Sequence, residues 1–248
     1  MAKQVWKFEP TQRWIRGRLN GETIVDSKHA MLMIESPGEV DYYFPLAEVR
    51  LDLLKESDHT ETSGYRGTRK FWNLKLGDQV VENAAWSYEP KEKRPDLDGY
   101  LAFSWQAMDH WYEEEEELFL HARNPYHRVD TVKSSRHVEV FVDGVKIADT
   151  TDPYLLFETS LPTRYYLPVE DVEKAYLRPT DAQSVCPYKG FASYYSVTVN
   201  GETYKDIAWT YPEPIPEAPK LKGTVAFWPE KDQRIRIIVD GEAVRKAR

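Results

Sequence analysis

Two short runs carry the residue types best able to do chemistry. Cys186-Pro187-Tyr188-Lys189-Gly190 sets a thiol, a ring and an ammonium close together, and Tyr65-Arg66-Gly67, lying 123 residues earlier, keeps the ring, the positive charge and the glycine. A cation of this kind holds a carboxylate or a phosphate through charge-assisted hydrogen bonds. The same chemistry allows an internal ion pair, and Glu35 and Glu158 stand at the same 123-residue spacing. Trp86 with Tyr88, and Trp209 with Tyr211, occupy alternate positions, which on a strand turn both rings to one face. Tyr42-Tyr43 and Tyr165-Tyr166 add further polar-tipped rings, enough to wall a cleft as well as to fill a core.

These residues define one expected pocket per copy for a small polar or anionic ligand. Its walls are Glu35, Tyr43, Tyr65, Arg66, Trp86 and Tyr88 in the first copy, and Glu158, Tyr166, Tyr188, Lys189, Trp209 and Tyr211 in the second. Rings would stack on the ligand, the cation would fix its anionic group, and the carboxylate would orient the cation or act as a base. The competing reading makes the rings core and interface, in a protein-interaction module without catalysis.

Cys186, Glu158 and Lys189 are the candidates for a catalytic role, because a nearby ammonium raises the thiolate fraction of a cysteine. The counterpart of Cys186 is Ser63, so a nucleophilic thiol would belong to one copy alone. The histidines are His29, His59, His110, His121, His127 and His137, and no two have the spacing of a helical metal pair, so neither metal nor cofactor is expected. His121, Arg123, His127 and Arg128 crowd the stretch between the copies and form a candidate cleft with a histidine base. Glycine-rich phosphate loops and the hydrolase nucleophile elbow are missing.

The elements that must position these residues are short strands. Arg13 to Gly21 alternates and turns at Asn20-Gly21, its copy turns at Asp143-Gly144, and a third, isolated hairpin signal closes the chain at Asp240-Gly241. Aligning 18–88 on 141–211 gives 16 identities over 71 ungapped positions, where average composition gives roughly four or five. A repeat this long is a whole domain with its own core. Pro45 followed by Leu46-Ala47-Glu48 predicts a helical turn. Between the copies, Trp105, Met108, Trp111 and Tyr112 recur at helical spacing and predict a helix, and the run Glu113 to Glu117 that follows reads as a solvated face. The expected division is a first domain at 1–108, a helical and packed linker at 109–134, and a second domain at 135–248.

Composition sets the outer limits. The 248 residues suffice for two domains with ordinary cores. Lys and Arg total 33 against 41 Asp and Glu, a net charge of -8 that argues against nucleic acid or a membrane surface as partner. One cysteine excludes an internal disulfide, and the chain lacks the apolar runs of a signal peptide or a membrane span, so a cytoplasmic protein is expected.

The motifs Tyr165-Tyr166-x-Pro168-x-x-Asp171-Val172, Cys186-Pro187-Tyr188-Lys189-Gly190, Tyr194-Tyr195-Ser196-Val197 and Ala208-Trp209-Thr210-Tyr211 resemble the signature of the domain of unknown function 427 family. The whole chain resembles its tandem members, with His121-x-Arg123-x-Pro125-Tyr126-His127-Arg128-Val129-Asp130 joining two copies and Ser135-Arg136-His137-Val138 opening the second. The resemblance implies β-tent domains, related in architecture to methionine sulfoxide reductase B and to the ligand-binding domain of cereblon. The cysteine pairs that hold zinc in several β-tent families are missing here. Some members are labelled nucleotidyltransferase-like, but no pair of metal-binding aspartates in a Gly-Ser context supports that activity. The expected fold is therefore mainly β, two tandem β-tent-like domains of short antiparallel strands with one helical linker segment.

Overall fold

The computed structural model describes residues 5–36, 39–63, 66–90 and 95–244. Contacts divide the chain into two compact units, Met1–Asn124 and Pro125–Arg248. Strands of the first are β1 (Val5–Pro10), β2 (Ile15–Leu19), β3 (Glu22–Ser27), β4 (Met31–Ser36), β5 (Glu39–Pro45), β6 (Leu54–Ser63), β7 (Gly67–Leu76), β8 (Gln79–Tyr88), β9 (Tyr100–Phe103), β10 (His110–Glu113) and β11 (Glu116–Leu118). The second contains β12 (Val129–Lys133), β13 (Val138–Val142), β14 (Val145–Thr150), β15 (Tyr154–Glu158), β16 (Arg164–Pro168), β17 (Leu177–Cys186), β18 (Gly190–Val199), β19 (Glu202–Thr210), β20 (Thr224–Phe227), β21 (Ile235–Val239) and β22 (Glu242–Ala243).

Each unit has a seven-stranded and a four-stranded antiparallel sheet. In the first their orders are β1, β4, β5, β9, β8, β7, β6 and β11, β10, β2, β3; in the second they are β12, β15, β16, β20, β19, β18, β17 and β14, β13, β21, β22. The topology is the same strand for strand. The hairpin turns follow from their dipeptides: Asn20-Gly21, Asp143-Gly144, Asn200-Gly201 and Asp240-Gly241 all have positive φ, between 48° and 84°, as a type I′ turn requires. Leu46–Glu48 forms the expected helical turn after Pro45, as one 3-10 turn.

The helix expected at Trp105, Met108, Trp111 and Tyr112 is not formed. Trp105–Ala107 is a single 3-10 turn, and β10 follows it, pairing with β2 on one side and β11 on the other. A turn and a strand in succession brought Trp105, Met108 and Trp111 to the core side at a spacing that imitates a helix. In the glutamate run Glu114, Glu115 and Glu116 are exposed as expected, but the run is not helical. It is the β10–β11 hairpin, with Glu114 at φ 54° where Asp240, at φ 51°, turns β21 into β22. The closing hairpin therefore has a counterpart after all. Glu113 is buried, pairs with Arg13 and accepts a hydrogen bond from the Tyr42 hydroxyl at 3.2 Å. Residues 109–134 accordingly supply β10 and β11 to the first unit and β12 to the second. Among the described residues, no helix is long and apolar enough to cross a membrane.

Successive side chains on β5 alternate between two cores. Val40, Tyr42 and Phe44 join Ile15, Leu19, Ile24 and Trp111 between the sheets, whereas Tyr43 joins Met33, Phe71, Trp86, Leu97 and Ala102 on the opposite face. The second unit repeats the division, with Tyr165 and Leu167 in one cluster and Tyr166, Tyr211, Ala218 and Leu221 in the other. Both faces of the long sheet thus bear buried side chains, and Tyr43, Trp86, Tyr88, Tyr166, Trp209 and Tyr211 occupy the face turned away from the four-stranded sheet.

Between the sheets the copies solve one packing problem in two ways. Gly17 is directly opposite Trp111, and a Cβ there would stand 2.9 Å from both the Trp111 ring and a Val25 methyl. In the second unit the same register pairs Val140 with Ile237. Gly17→Val should overpack the core and cost about 1–3 kcal/mol. Adding Trp111→Ile and Val25→Ala, which together recreate Val140, Ile237 and Ala148, should return most of that loss in a urea-denaturation cycle. Purely additive losses would refute the coupling.

Candidate functional site

The frame of each site is a tyrosine and a tryptophan held across one alanine. In the first unit Tyr43 on β5 and Trp86 on β8 both lie opposite Ala102 on β9. Their backbones are two strand spacings apart, roughly 10 Å. A methyl group between them leaves room for the indole to reach over, and Trp86 Nε1 donates to the Tyr43 hydroxyl at 3.3 Å. The second unit does the same over Ala226: Trp209 Nε1 donates to the Tyr166 hydroxyl at 3.1 Å, with the rings edge to face. Burial pushes the hydroxyl pKa values of Tyr43 and Tyr166 well above the ordinary tyrosine value, so both remain neutral donors.

Across this frame runs the cation–carboxylate pair. Arg66 Nη2 lies 3.0 Å from Glu35 Oε2 and its Nε 3.4 Å from Oε1. Strands β4 and β7 are four places apart in the sheet, roughly 19 Å if it were flat. The contact therefore requires the sheet to curl until the turn before β7 meets β4. Gly67 at φ 83° and Gly190 at φ 100° make that turn possible. A Cβ on Gly190 would also meet Ile215 at 3.3 Å.

The second pair is tighter and more enclosed. Lys189 Nζ donates to Glu158 Oε2 at 2.5 Å, and both side chains are more than nine-tenths buried. The other oxygen, Oε1, lies 3.0 Å from His127 Nε2, and the His127 ring stacks on Tyr188 with centroids 4.3 Å apart. Glu158 thus sits between an ammonium and an imidazole, with one oxygen on each. Tyr211 is 5% exposed, and burial raises its pKa strongly.

In the first unit the same frame borders a cavity of about 280 Å³. Five expected residues line it, namely Glu35, Tyr43, Arg66, Trp86 and Tyr88; Tyr65 lies outside the described residues. Three further lining residues, Met33, Asp41 and Arg69, escaped the sequence comparison. Their counterparts are Leu156, Arg164 and Ala192, so a search for identities between copies passes over them. Arg69 pairs with Glu61 and lies over the Phe71 and Trp86 rings, 4.8 and 5.2 Å from their centroids. Burial pushes the Tyr88 pKa up; Arg69 and Arg66 oppose the rise, while Asp41 and Glu35 add to it. All four charges therefore act on one hydroxyl. A larger hollow of about 810 Å³ shares Tyr88 as a wall, but its other sides are mainly leucine, proline and acidic residues, and none of these four charges lines it.

The remaining candidates separate. His121 and Arg123 belong to the first unit, where His121 borders a gap of about 50 Å³ between the sheets and Arg123 approaches Glu113 at 4.0 Å. His127 and Arg128 belong to the second, and exposed Arg128 pairs with Asp130 at 3.0 Å. Sequence reasoning put His127 with the linker residues; it is instead a partner of Glu158. Cys186 is half-buried and packs beside the cluster of Tyr166, Ala192 and Tyr211, while the Lys189 ammonium is directed to Glu158. His137, Glu139 and Asp149 come close enough to ligate one ion, but they are surface groups and Lys146 already pairs with both carboxylates.

A family model described as Domain of unknown function (DUF427) matches the chain twice, over residues 7–114 and 130–245. A comparison with curated proteins returned no significant match.

Removing one partner of a buried ion pair leaves an uncompensated charge and typically costs about 3–5 kcal/mol. Lys189→Met should therefore destabilise the protein by that order in chemical denaturation. Arg66→Met should cost less, because the Arg66 side chain is 34% exposed. Equal losses, or a Lys189→Met loss below about 1 kcal/mol, would show that the pair is not stabilised as its burial implies.

Proposed function

The chain belongs to the DUF427 family as a tandem member, and from that membership and the paired sites we propose a protein that binds a small polar ligand at its aromatic, cationic pockets. The observation that carries this reading is the cavity of about 280 Å³ beside Glu35, Tyr43, Arg66, Trp86 and Tyr88. Its volume equals the liquid share of roughly nine waters, enough for a compact metabolite. Ring faces offer stacking, and the guanidinium of Arg66, oriented by its pair with Glu35, brings positive charge to the cavity wall for a carboxylate or phosphate.

The second site uses the same residue types in a closed form. For a ligand to reach Lys189, either its pair with Glu158 or the stack of His127 on Tyr188 must part. The two-sheet units support the β-tent assignment, and a lone half-buried thiol suits a reducing cytoplasm. A second reading, a protein-interaction module, draws on exposed Val132 and Phe157, which lie diagonally across β12 and β15.

Isothermal titration of the full chain against pools of nucleotides and carboxylates tests the ligand reading, together with mass spectrometry of any molecule carried through purification. Binding of one pool, weakened at least tenfold by Arg66→Ala, is expected. Unchanged binding by Arg66→Ala would remove the cation from the mechanism. If no pool binds and no molecule is carried through, the ligand reading fails.

A further inference from the structure

Between their sheets, the two units leave different amounts of space at one corresponding place. In the first, the Phe44, Trp111 and Trp105 rings form a stack, with centroids 5.9 Å apart at 11° and then 5.2 Å apart at 25°. The gap left beside them is about 50 Å³. The second unit has no aromatic ring at any of these three positions. Leu167 stands for Phe44 in the repeat, and Ile237 stands for Trp111 in the strand register. Pro229 stands for Trp105, since the Trp228 N–H donates to the Ile207 carbonyl as the Ser104 N–H does to that of Ala84. With the rings gone, a cavity of about 190 Å³ opens, bordered by Thr163, Tyr165, Pro229, Ile237 and Val244.

Two residues lining this cavity lack the partner that the first unit gives their counterparts. Trp111 Nε1 donates to the Trp105 carbonyl at 3.0 Å, whereas Ile237 has no N–H to offer the carbonyl of Pro229. The Tyr42 hydroxyl donates to Glu113 at 3.2 Å, whereas Val239 stands at the position of Glu113. Tyr165 is 9% exposed, and among the described residues its hydroxyl has no hydrogen bond. Polar groups enclosed in this way favour whatever supplies the missing partner. The charged groups at the cavity, Arg164 and Glu230, are already joined to each other at 2.8 Å, so a charged molecule gains nothing from them.

We propose that the second unit binds a neutral, planar, bicyclic aromatic molecule with a ring N–H, of the indole class, in the space that the first unit fills with its own Trp105 and Trp111. Its N–H meets the Pro229 carbonyl and its ring faces Ile237 and Val244, much as the Trp111 indole meets Trp105. An apolar cavity of about 150 Å³ takes up benzene, so about 190 Å³ suits a second fused ring. This site goes beyond the aromatic, cationic pockets, which lie on the opposite face of the seven-stranded sheet.

Titration of the full chain with indole tests it. Indole should bind at one site per chain, and benzofuran, which has the same shape but no N–H, at least fivefold more weakly. Nuclear Overhauser effects from bound indole should reach the Ile237 and Val244 methyl groups of the unaltered protein. Pro229→Trp restores the ring that the first unit carries at this place, so it should abolish indole binding. Circular dichroism checks that the variant is folded; should it not fold, the methyl contacts locate the site by themselves. No binding of indole at millimolar concentration, contacts confined to other methyl groups, equal binding of benzofuran, or full binding by folded Pro229→Trp would overturn the inference. Each of these outcomes leaves the aromatic, cationic pockets untouched, since Arg66→Ala and the ligand pools decide those.

Discussion

Each seven-stranded sheet has two apolar faces and only one four-stranded sheet to cover them. Tyr42 and Tyr43 are both buried, as are Tyr165 and Tyr166, so neither face is left to water. The uncovered side is closed by curling, and the curl is fastened where a cation from one strand end meets a carboxylate from a distant strand. Charges drawn into such a place must be paired, because a lone one carries a heavy desolvation cost. From that requirement follow the glycine that lets the cation turn inward and the alanine over which the indole reaches. The site is a by-product of how the sheet hides its second face.

The duplication explains how much of this could be read without coordinates. Residues that serve the closure are the same in both copies, so Glu35, Tyr43, Trp86 and Tyr88 emerged together from one alignment. Arg66 emerged through its charge. Asp41 and Arg69 did not emerge, because they differ between copies; what distinguishes the sites is invisible to a search for what they share. The failed helix has another cause. Burial at Trp105, Met108 and Trp111 reflects a 3-10 turn followed by a strand, and three positions cannot separate that from one helical face. Glu114 to Glu116 are exposed, as a solvated run should be, but their hairpin escaped notice because its turn uses Glu114 with positive φ, where Asn or Asp with Gly is the usual signal.

The two copies also show how a frame persists while its contents change. Lys189 replaces a guanidinium, and His127 then completes the carboxylate that Lys189 meets through one oxygen. Arg66 can address both oxygens of Glu35 by itself. The compact ammonium thus goes with the more enclosed pair, and the planar fork with the open cavity. This fits the different hydration and geometry of the two cations.

The exchange of Gly17 and Trp111 for Val140 and Ile237 has a consequence for how a chain with two identical topologies avoids tangling. A strand such as β10, delivered during folding to the edge of β13, would press Trp111 against Val140, at the position where its own partner β2 has the glycine that accommodates the indole. The opposite error would set Ile237 against Gly17 and leave a void. Each half is therefore a poor template for the other's strands, and mismatched packing discourages the cross-copy misassembly to which tandem repeats are prone.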